Sequence, residues 1–155
     1  MFKKYPTIKA FAEADVVELD NEIKRVNFHF NKAKNIKAAA QMIIDKYNGK
    51  VPDTMEDLDA LPGVARKTAN VVLCNVFNKK EGVVVDTHVM RLSQKLGLTE
   101  HKDPVKIEKD LMEIVPKDDW CDFPSMLILF GREYCPARPH ACADCPLGDL
   151  CPDKQ

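Results

Sequence analysis

Four cysteines near the end of the chain have a spacing that suits a bound metal centre. They form the pattern C-x6-C-x2-C-x5-C, at Cys135, Cys142, Cys145 and Cys151. A loop of this length buries too little apolar surface to order itself, so a covalent or coordinative link must hold it. The unequal gaps favour a [4Fe–4S] cluster. A structural zinc site, which usually has two C-x2-C pairs, and a pair of disulfides stay open as alternatives.

The run Leu-Pro-Gly-Val-Ala-Arg-Lys, residues 61–67, predicts a tight turn between two helices. The turn would leave the backbone N–H groups of about residues 63–67 without intrahelical partners. A helix N-terminus of this kind binds phosphate through its free donors and its dipole, and it recognises a nucleic-acid backbone rather than a base sequence. An ordinary corner between two helices is the alternative.

Two side chains beyond this turn are candidates for catalysis. Lys67 is expected in the first turn of the second helix, where a neutral amine could attack a sugar C1′ and form a Schiff base. The alternative for Lys67 is a solvated surface lysine. Asp86 follows the apolar residues 83–85 and is predicted to cap a helix. An ionised carboxylate there could also stabilise positive charge on a sugar and help to move a proton.

Charge is unevenly distributed along the chain, although the formal net charge is only −1. Residues 24–80 carry 11 Lys and Arg against 5 Asp and Glu, whereas the other residues carry 12 against 19. A fold could therefore present the central stretch as a positive face that attracts a polyanion. Ordinary solvated helix faces are the alternative interpretation.

Composition restricts the class of protein and its compartment. With 45% hydrophobic and 30% charged residues, the chain is typical of globular proteins and unlike disordered ones. No apolar run approaches the roughly 18 residues of a membrane span, and the N-terminus does not resemble a signal peptide. We therefore expect a cytoplasmic protein in which Cys74 and Cys121, inside helical patterns, are buried thiols.

The elements that must position these residues are short helices, so an all-α fold is predicted. The only β-rich run, residues 83–85, is too short for a sheet. Helices are predicted over residues 32–47, 65–77 and 119–134, and two lobes over residues 1–80 and 81–155. Caps and stops are expected at Thr7, Asp15, Thr54, Asp86, Asp103, at Asn48 with Gly49, and at Gly97.

Residues 61–73, residues 85–92 and the cysteine tail together resemble endonuclease III, a family of helix-hairpin-helix DNA glycosylases with a [4Fe–4S] cluster. The resemblance implies two helical lobes with a C-terminal cluster loop, the four cysteines being the cluster ligands. It implies base-excision DNA repair: removal of an oxidised pyrimidine flipped out of duplex DNA, then β-elimination at the abasic site. By position, Lys67 would be the nucleophile and Asp86 the essential carboxylate.

The same resemblance suggests which residues contact DNA. Phe28 would be a wedge that fills the hole left by the flipped base, although packing in the core between two helices is the alternative for Phe28. The expected partner is double-stranded DNA with a damaged pyrimidine or an abasic site, bound by a monomer associated with the nucleoid. The other expected DNA contacts are Gly63, Val64, Ala65, Arg66, Asn31, Lys32 and Arg138.

Two departures from the family pattern qualify these expectations. Ala65 stands where the family often has glycine, which a helix start tolerates if the φ angle of Ala65 is negative. The family also begins before the position that matches Met1, so we expect a first lobe that is incomplete at its N-terminus. A non-catalytic DNA-binding fragment is therefore the alternative function. Adenine-DNA glycosylase, which shares the hairpin and cluster, is disfavoured because it lacks a lysine at the position of Lys67.

Overall fold

The computed structural model describes residues 1–138, 140–142 and 144–152, and over those residues every regular element is a helix. The predicted all-α class is therefore confirmed. No helix within the described residues is long and apolar enough to cross a membrane. The helices are α1 (Ile8–Glu13), α2 (Val16–Ile23), α3 (His29–Tyr47), α4 (Met55–Asp59), α5 (Arg66–Phe77), α6 (Thr87–Lys95), α7 (Pro104–Ile114) and α8 (Phe123–Glu133), with a 3₁₀ turn at Lys117–Asp119.

Short polar side chains begin most of these helices, as their sequence positions predict. Each accepts hydrogen bonds from backbone N–H groups of the first turn, which otherwise have no intrahelical partner. Left-handed residues end helices α3 and α6, with φ of 52° at Asn48 and 71° at Gly97. The capping residues are Thr7, Asp15, Thr54, Asp86 and Asp103.

The chain divides into two compact units, residues 1–69 and residues 70–155. In the first unit, α1 and α2 pack on α3. Their contact buries a small core of Tyr5, Ala14, Leu19 and Ala33. Leu58 and Leu61 are also buried, so the end of α4 is anchored in this unit while the residues after it reach the surface.

In the second unit, α6 packs against α7 and α8. Residues 83–85 belong to no helix or strand, and Val83 is fully buried in the core. The remaining core residues are Val89, Leu92, Ile107, Leu111, Leu127 and Cys135. The division between lobes predicted after residue 80 stays a prediction. The boundary between the two compact units falls earlier in the sequence, within α5.

Two helix starts differ from the sequence expectation. Helix α3 begins at His29 rather than near residue 32, because Phe28 adopts a left-handed conformation and starts the helix there. The helix predicted from residue 119 is interrupted: a 3₁₀ turn ends at Asp119 and α8 begins at Phe123. Pro124 lies in the first turn of α8, where backbone N–H groups have no intrahelical partner and the missing N–H of proline breaks no hydrogen bond. Deeper in a helix, proline would break one, so the helix cannot extend far before Pro124.

The expectation for Cys74 and Cys121 was wrong, because the two residues form a disulfide in the second unit. Cys74 lies on α5 and Cys121 in the turn before α8, and their Cα atoms are 5.5 Å apart. Both residues are half-buried rather than buried. Helical periodicity describes each residue against its neighbours and contains no signal for a contact across 47 positions.

Candidate functional site

The hairpin between α4 and α5 has the predicted tight turn. The N–H of Val64 donates to the carbonyl oxygen of Leu61 over 3.0 Å, and Gly63 has a φ of +77°. Proline followed by glycine at the two central positions suits a type II turn, which requires a positive φ at the second. The side chain of Asn35, on α3, lies directly over Gly63, since a Cβ there would be 2.6 Å from Asn35 Nδ2. The hairpin turn and helix α3 therefore pack closely against each other at this point.

Helix α5 begins immediately after this turn with an exposed first turn. Ala65, Arg66 and Lys67 are all exposed, and Val64 is half-buried. The first intrahelical bond of α5 runs from the N–H of Ala69 to the carbonyl of Ala65, over 3.0 Å. The N–H groups of residues 66–68 thus precede it, which is the arrangement that binds phosphate. Ala65 is not among the positive-φ residues, so alanine fits the helix start as expected.

Asp86 caps α6 as predicted and is half-buried in the second unit. Its Oδ1 atom accepts from the N–H of His88 over 2.8 Å and from the N–H of Val89 over 2.9 Å. Both capping bonds use the same oxygen, so the cap leaves Oδ2 out of its hydrogen bonds. The capping role and a second role for the carboxylate are therefore compatible.

Phe28 is not a core residue, because 80% of it is exposed. Its φ of 58° is unusual for a bulky side chain and directs the chain from the end of α2 into α3. His29, the next residue, contacts the carboxylate of Asp20 on α2. Asn31 and Lys32 are exposed on the first turn of α3. The alternative that placed Phe28 between two helices is therefore wrong, and its role as a wedge stays a prediction.

An apolar groove of about 410 Å³ in the first unit is lined by residues on either side of Phe28 in the sequence and by residues of the hairpin. Val26 and Lys32 line one side, and the turn residues Pro62, Gly63 and Val64 line the other. The structure thus brings together two sets of predicted DNA contacts that are more than 30 positions apart in sequence.

The four cysteines of the tail line a common cavity in the second unit. All four are free thiols; Cys135 is buried and the other three are half-buried. The guanidinium of Arg91 donates to Cys135 Sγ over 3.7 Å and to the carbonyl of Cys135 over 2.7 Å. Arg138, the predicted backbone contact beside this loop, is exposed, and its carbonyl oxygen binds the His140 ring.

The geometry of these thiols bears on which centre they could hold. Within the described residues, no three His, Cys, Asp or Glu side chains are grouped closely enough to hold one metal ion. A zinc ion would need all four sulfurs about 2.3 Å from a single point. A [4Fe–4S] cluster has four irons, one for each thiolate, so the sulfurs surround a larger volume. Four free thiols around one cavity supply one ligand for each iron, so the residues present fit a [4Fe–4S] cluster.

Sequence reasoning missed three polar contacts that hold the site elements in place. Asn35 lies over the hairpin turn, and Arg91 binds Cys135. The third contact is a buried hydrogen bond of 3.0 Å between Asn70 and Glu108. A signal for it was present: Glu108 lies between Ile107 and Leu111 on the apolar face of α7, where a charged residue is out of place.

Comparison with known proteins agrees with this geometry. The HhH-GPD superfamily of base excision DNA repair proteins matches residues 1–117. Endonuclease III of Synechocystis sp. is 49% identical over 155 residues, which are all of this chain and 71% of the relative. Endonuclease III of Bacillus subtilis is 44% identical over 156 residues, again 71% of the relative.

Solved structures are similar over nearly the whole chain. A non-covalent endonuclease III–DNA complex superposes with a TM-score of 0.91 at 42% identity, covering 98% of this chain and 71% of that one. A trapped covalent endonuclease III–DNA intermediate gives the same values. A thermostable thymine-DNA glycosylase has a TM-score of 0.83 at 27% identity and the same coverage of both chains.

These matches confirm the predicted helix-hairpin-helix glycosylase fold, and they favour an enzyme over a non-catalytic fragment. The turn at residues 61–64, the exposed lysine after it and the four-cysteine cavity are the features that the sequence resemblance implied. With a family match over residues 1–117 and relatives 44–49% identical, the chain belongs to the endonuclease III family of base-excision DNA glycosylases and abasic-site lyases.

Proposed function

We propose that the chain removes oxidised pyrimidines from duplex DNA and then cleaves the strand, with Lys67 as the nucleophile and Asp86 as the essential carboxylate. The observation that carries the proposal is the location of Lys67. Its side chain is exposed in the first turn of α5, directly after a turn shaped to hold a phosphate. A lysine there can approach the sugar of a nucleotide whose phosphate is bound by the same helix start.

The reaction follows from the chemistry of an amine and a nucleoside. The neutral Lys67 Nζ attacks C1′, the bond from C1′ to the base breaks, and its electron pair leaves with the base, which takes up a proton. Loss of the amine proton and opening of the sugar ring give a Schiff base between Lys67 and C1′. Removal of a C2′ proton then expels the 3′ phosphate by β-elimination, and water hydrolyses the Schiff base to free the lysine.

Asp86 supports the first step through its charge. Because its Oδ1 accepts two backbone hydrogen bonds, the orientation of the carboxylate is fixed. A fixed carboxylate stabilises the positive charge that develops on the sugar as the base leaves, and it can transfer a proton.

Gly63, Val64, Ala65 and Arg66 would hold the phosphate next to the lesion, and Asn31, Lys32 and Arg138 would contact the backbone nearby. Exposure of these residues, Val64 being half-buried, supports this assignment. The 80% exposure of Phe28 supports a role as an apolar wedge that enters the base stack. We expect the protein to act as a monomer on DNA with a damaged pyrimidine or an abasic site, in the cytoplasm where the nucleoid lies.

Cys135, Cys142, Cys145 and Cys151 would hold a [4Fe–4S] cluster as thiolates. When bound, the cluster supplies coordinative crosslinks that order the C-terminal loop, and no step of the reaction above passes through it. The purified protein is then expected to contain about four iron atoms per chain, measured by elemental analysis. One zinc per chain and no iron would contradict the assignment.

Borohydride trapping on a duplex with one abasic site tests the catalytic proposal directly. Borohydride reduces a Schiff base to a stable amine, so the wild-type protein is expected to form a covalent adduct with the DNA. Lys67→Ala should abolish the adduct while leaving DNA affinity within about threefold, since the hairpin backbone is unchanged.

Lys109→Ala is the matched control, because Lys109 is an exposed lysine on helix α7 and is not part of the hairpin. The control should trap at the wild-type rate. An adduct that persists in Lys67→Ala would place the nucleophile elsewhere, and DNA binding by wild type with no adduct would favour the non-catalytic alternative.

A further inference from the structure

We propose that Asn70 and Glu108 are positioning residues for the reaction: together they fix on helix α7 both the helix that carries Lys67 and the segment that leads to Asp86. The inference rests on the proposed function, because it matters only if Lys67 and Asp86 carry the chemistry. Neither residue was singled out by the sequence patterns above.

The first contact holds helix α5. Asn70 Nδ2 donates to Glu108 Oε1 over 3.0 Å, and the two residues are 1% and 6% exposed. Asn70 follows Lys67 by three positions on the same helix, so the two side chains leave it on neighbouring positions of one face. A hydrogen bond at Asn70 therefore sets the rotation of α5 close to Lys67.

The second contact holds the segment before Asp86. A Cβ at Gly82 would lie 2.0 Å from Glu108 Oε1 and 2.9 Å from Asn70 Nδ2, so the backbone of Gly82 rests against both polar groups. Only glycine allows this approach. Gly82 precedes Asp86 by four positions, and the intervening Val83 is fully buried. The same carboxylate thus touches both chain segments.

The energetic cost of this arrangement argues for a role beyond stability. Burying a carboxylate is expensive even when it is paired, and apolar residues of similar size usually stabilise a fold as well or better. Asn70 Oδ1 is also buried, with no hydrogen-bond partner among the described residues. A directional hydrogen bond fixes distance and rotation more sharply than apolar packing does. Displacing a reacting group by about 1 Å can lower a rate about 100-fold.

The double variant Asn70→Leu/Glu108→Met separates positioning from stability. Both partners of this hydrogen bond are removed together, so neither Asn70 nor Glu108 is left buried without the other, and the thermal midpoint should stay within a few degrees. The borohydride-trapping rate on an abasic duplex, at saturating enzyme, is expected to fall about 10- to 100-fold. Affinity for a duplex with an uncleavable abasic analogue should change less than about threefold.

Two variants serve as controls. Glu108→Gln keeps an oxygen that accepts from Asn70 and should trap within about threefold of wild type. Thr99→Val removes a different hydrogen bond onto the same helix, from the Thr99 hydroxyl to Asp110, and should leave the trapping rate unchanged.

A wild-type trapping rate in the double apolar variant would overturn the inference while leaving the proposed function intact; no adduct with wild type would instead refute the proposed function itself. If the double apolar variant does not fold, the variant Asn70→Asp/Glu108→Gln, in which the amide and the carboxylate exchange positions, tests the inference instead. Asn70→Asp alone opposes two carboxylates and should trap slowly, and adding Glu108→Gln restores an amide–carboxylate hydrogen bond and should restore the rate. No restoration in folded protein would also overturn the inference.

Discussion

The hairpin of residues 61–67 and the contact between α5 and α7 are built from opposite kinds of interaction. The hairpin is local: its turn closes between Leu61 and Val64, and most of its residues are exposed. The α5–α7 contact joins Asn70 to Glu108, which are 38 positions apart, and both are almost fully buried. In the proposed function, the first region would contact the DNA backbone and the second would hold the helix that carries Lys67.

The difference follows from what each region must do. Backbone N–H groups bind a phosphate only if the fold leaves them exposed, so the hairpin depends on a turn sequence rather than on a core. The orientation of a catalytic side chain must instead be fixed, and contacts sheltered from water fix it best. Three experiments would sharpen or break this contrast.

The largest effect is expected for Asp86→Asn. The asparagine oxygen can still accept from the N–H groups of His88 and Val89, so the cap is kept and only the charge is lost. Loss of the charge should lower the glycosylase rate about 100-fold or more, with the thermal midpoint nearly unchanged. The measurements are single-turnover base release and thermal unfolding.

Asp103→Asn is the matched control, because Asp103 caps α7 through the same two types of backbone hydrogen bond. Its glycosylase rate should equal that of wild type. If both variants lost the same activity, Asp86 would act only as a helix cap.

A smaller effect is expected from substitutions at two left-handed glycines of the first unit. Gly49→Ala meets nothing within 4 Å at a φ of +74°, so its cost is conformational, about 1–2 kcal/mol. Gly63→Ala has the same cost at a φ of +77° and also meets Asn35 Nδ2 at 2.6 Å. It should therefore lower the free energy of unfolding further, and only Gly63→Ala should weaken binding to abasic DNA. Urea unfolding and fluorescence anisotropy measure the two effects; equal DNA affinities in the two variants would exclude the turn from the interface.

The smallest effect is expected at the exposed pair Lys80–Asp118, which spans the same 38 positions as Asn70–Glu108. The hydrogen bond from Lys80, 2.6 Å long, and its charge hold the pKa of Asp118 below the ordinary 3.8. The pKa of Asp118 is lower in the folded protein than in the unfolded chain, so the pair stabilises the fold at pH values above the ordinary pKa. This contribution is lost as the pH falls through the lowered pKa of the folded protein.

Lys80→Met should return the pKa of Asp118 towards its ordinary value, measured by NMR titration of the carboxyl group. The change in unfolding free energy should be barely detectable and should vanish in high salt, since Asp118 is 95% exposed. A loss as large as that caused by removing only one partner of the buried Asn70–Glu108 pair would contradict the view that burial, not sequence separation, makes a contact important here.

Much of the fold could be predicted because its signals are local. Thr7, Asp15, Thr54, Asp86 and Asp103 cap helices as their positions indicated, since each side chain bonds to an N–H only two or three residues away. The tight turn that begins at Leu61 was predicted for the same reason. The roles of Lys67 and Asp86 in catalysis stay predictions from the resemblance.

The predictions that were wrong concern interactions that a local pattern does not contain. The disulfide between Cys74 and Cys121 needs the turn before α8 to lie against α5. The start of α3 at Phe28, rather than near residue 32, depends on a left-handed backbone that no local rule assigns to phenylalanine. The break before α8 was readable from Pro124, but the helical periodicity of the surrounding residues obscured it.

The sequence by itself determined which residues start and stop the helices, the turn after α4 and the cysteine spacing, because each depends on neighbours within a few bonds. Only the tertiary structure decided that Glu108 touches both Asn70 and Gly82, that Asn35 covers Gly63, and that four cysteines share a cavity. These contacts join residues distant in sequence, and they form only where burial of the surrounding apolar side chains offsets the entropy of closing the long loops between them.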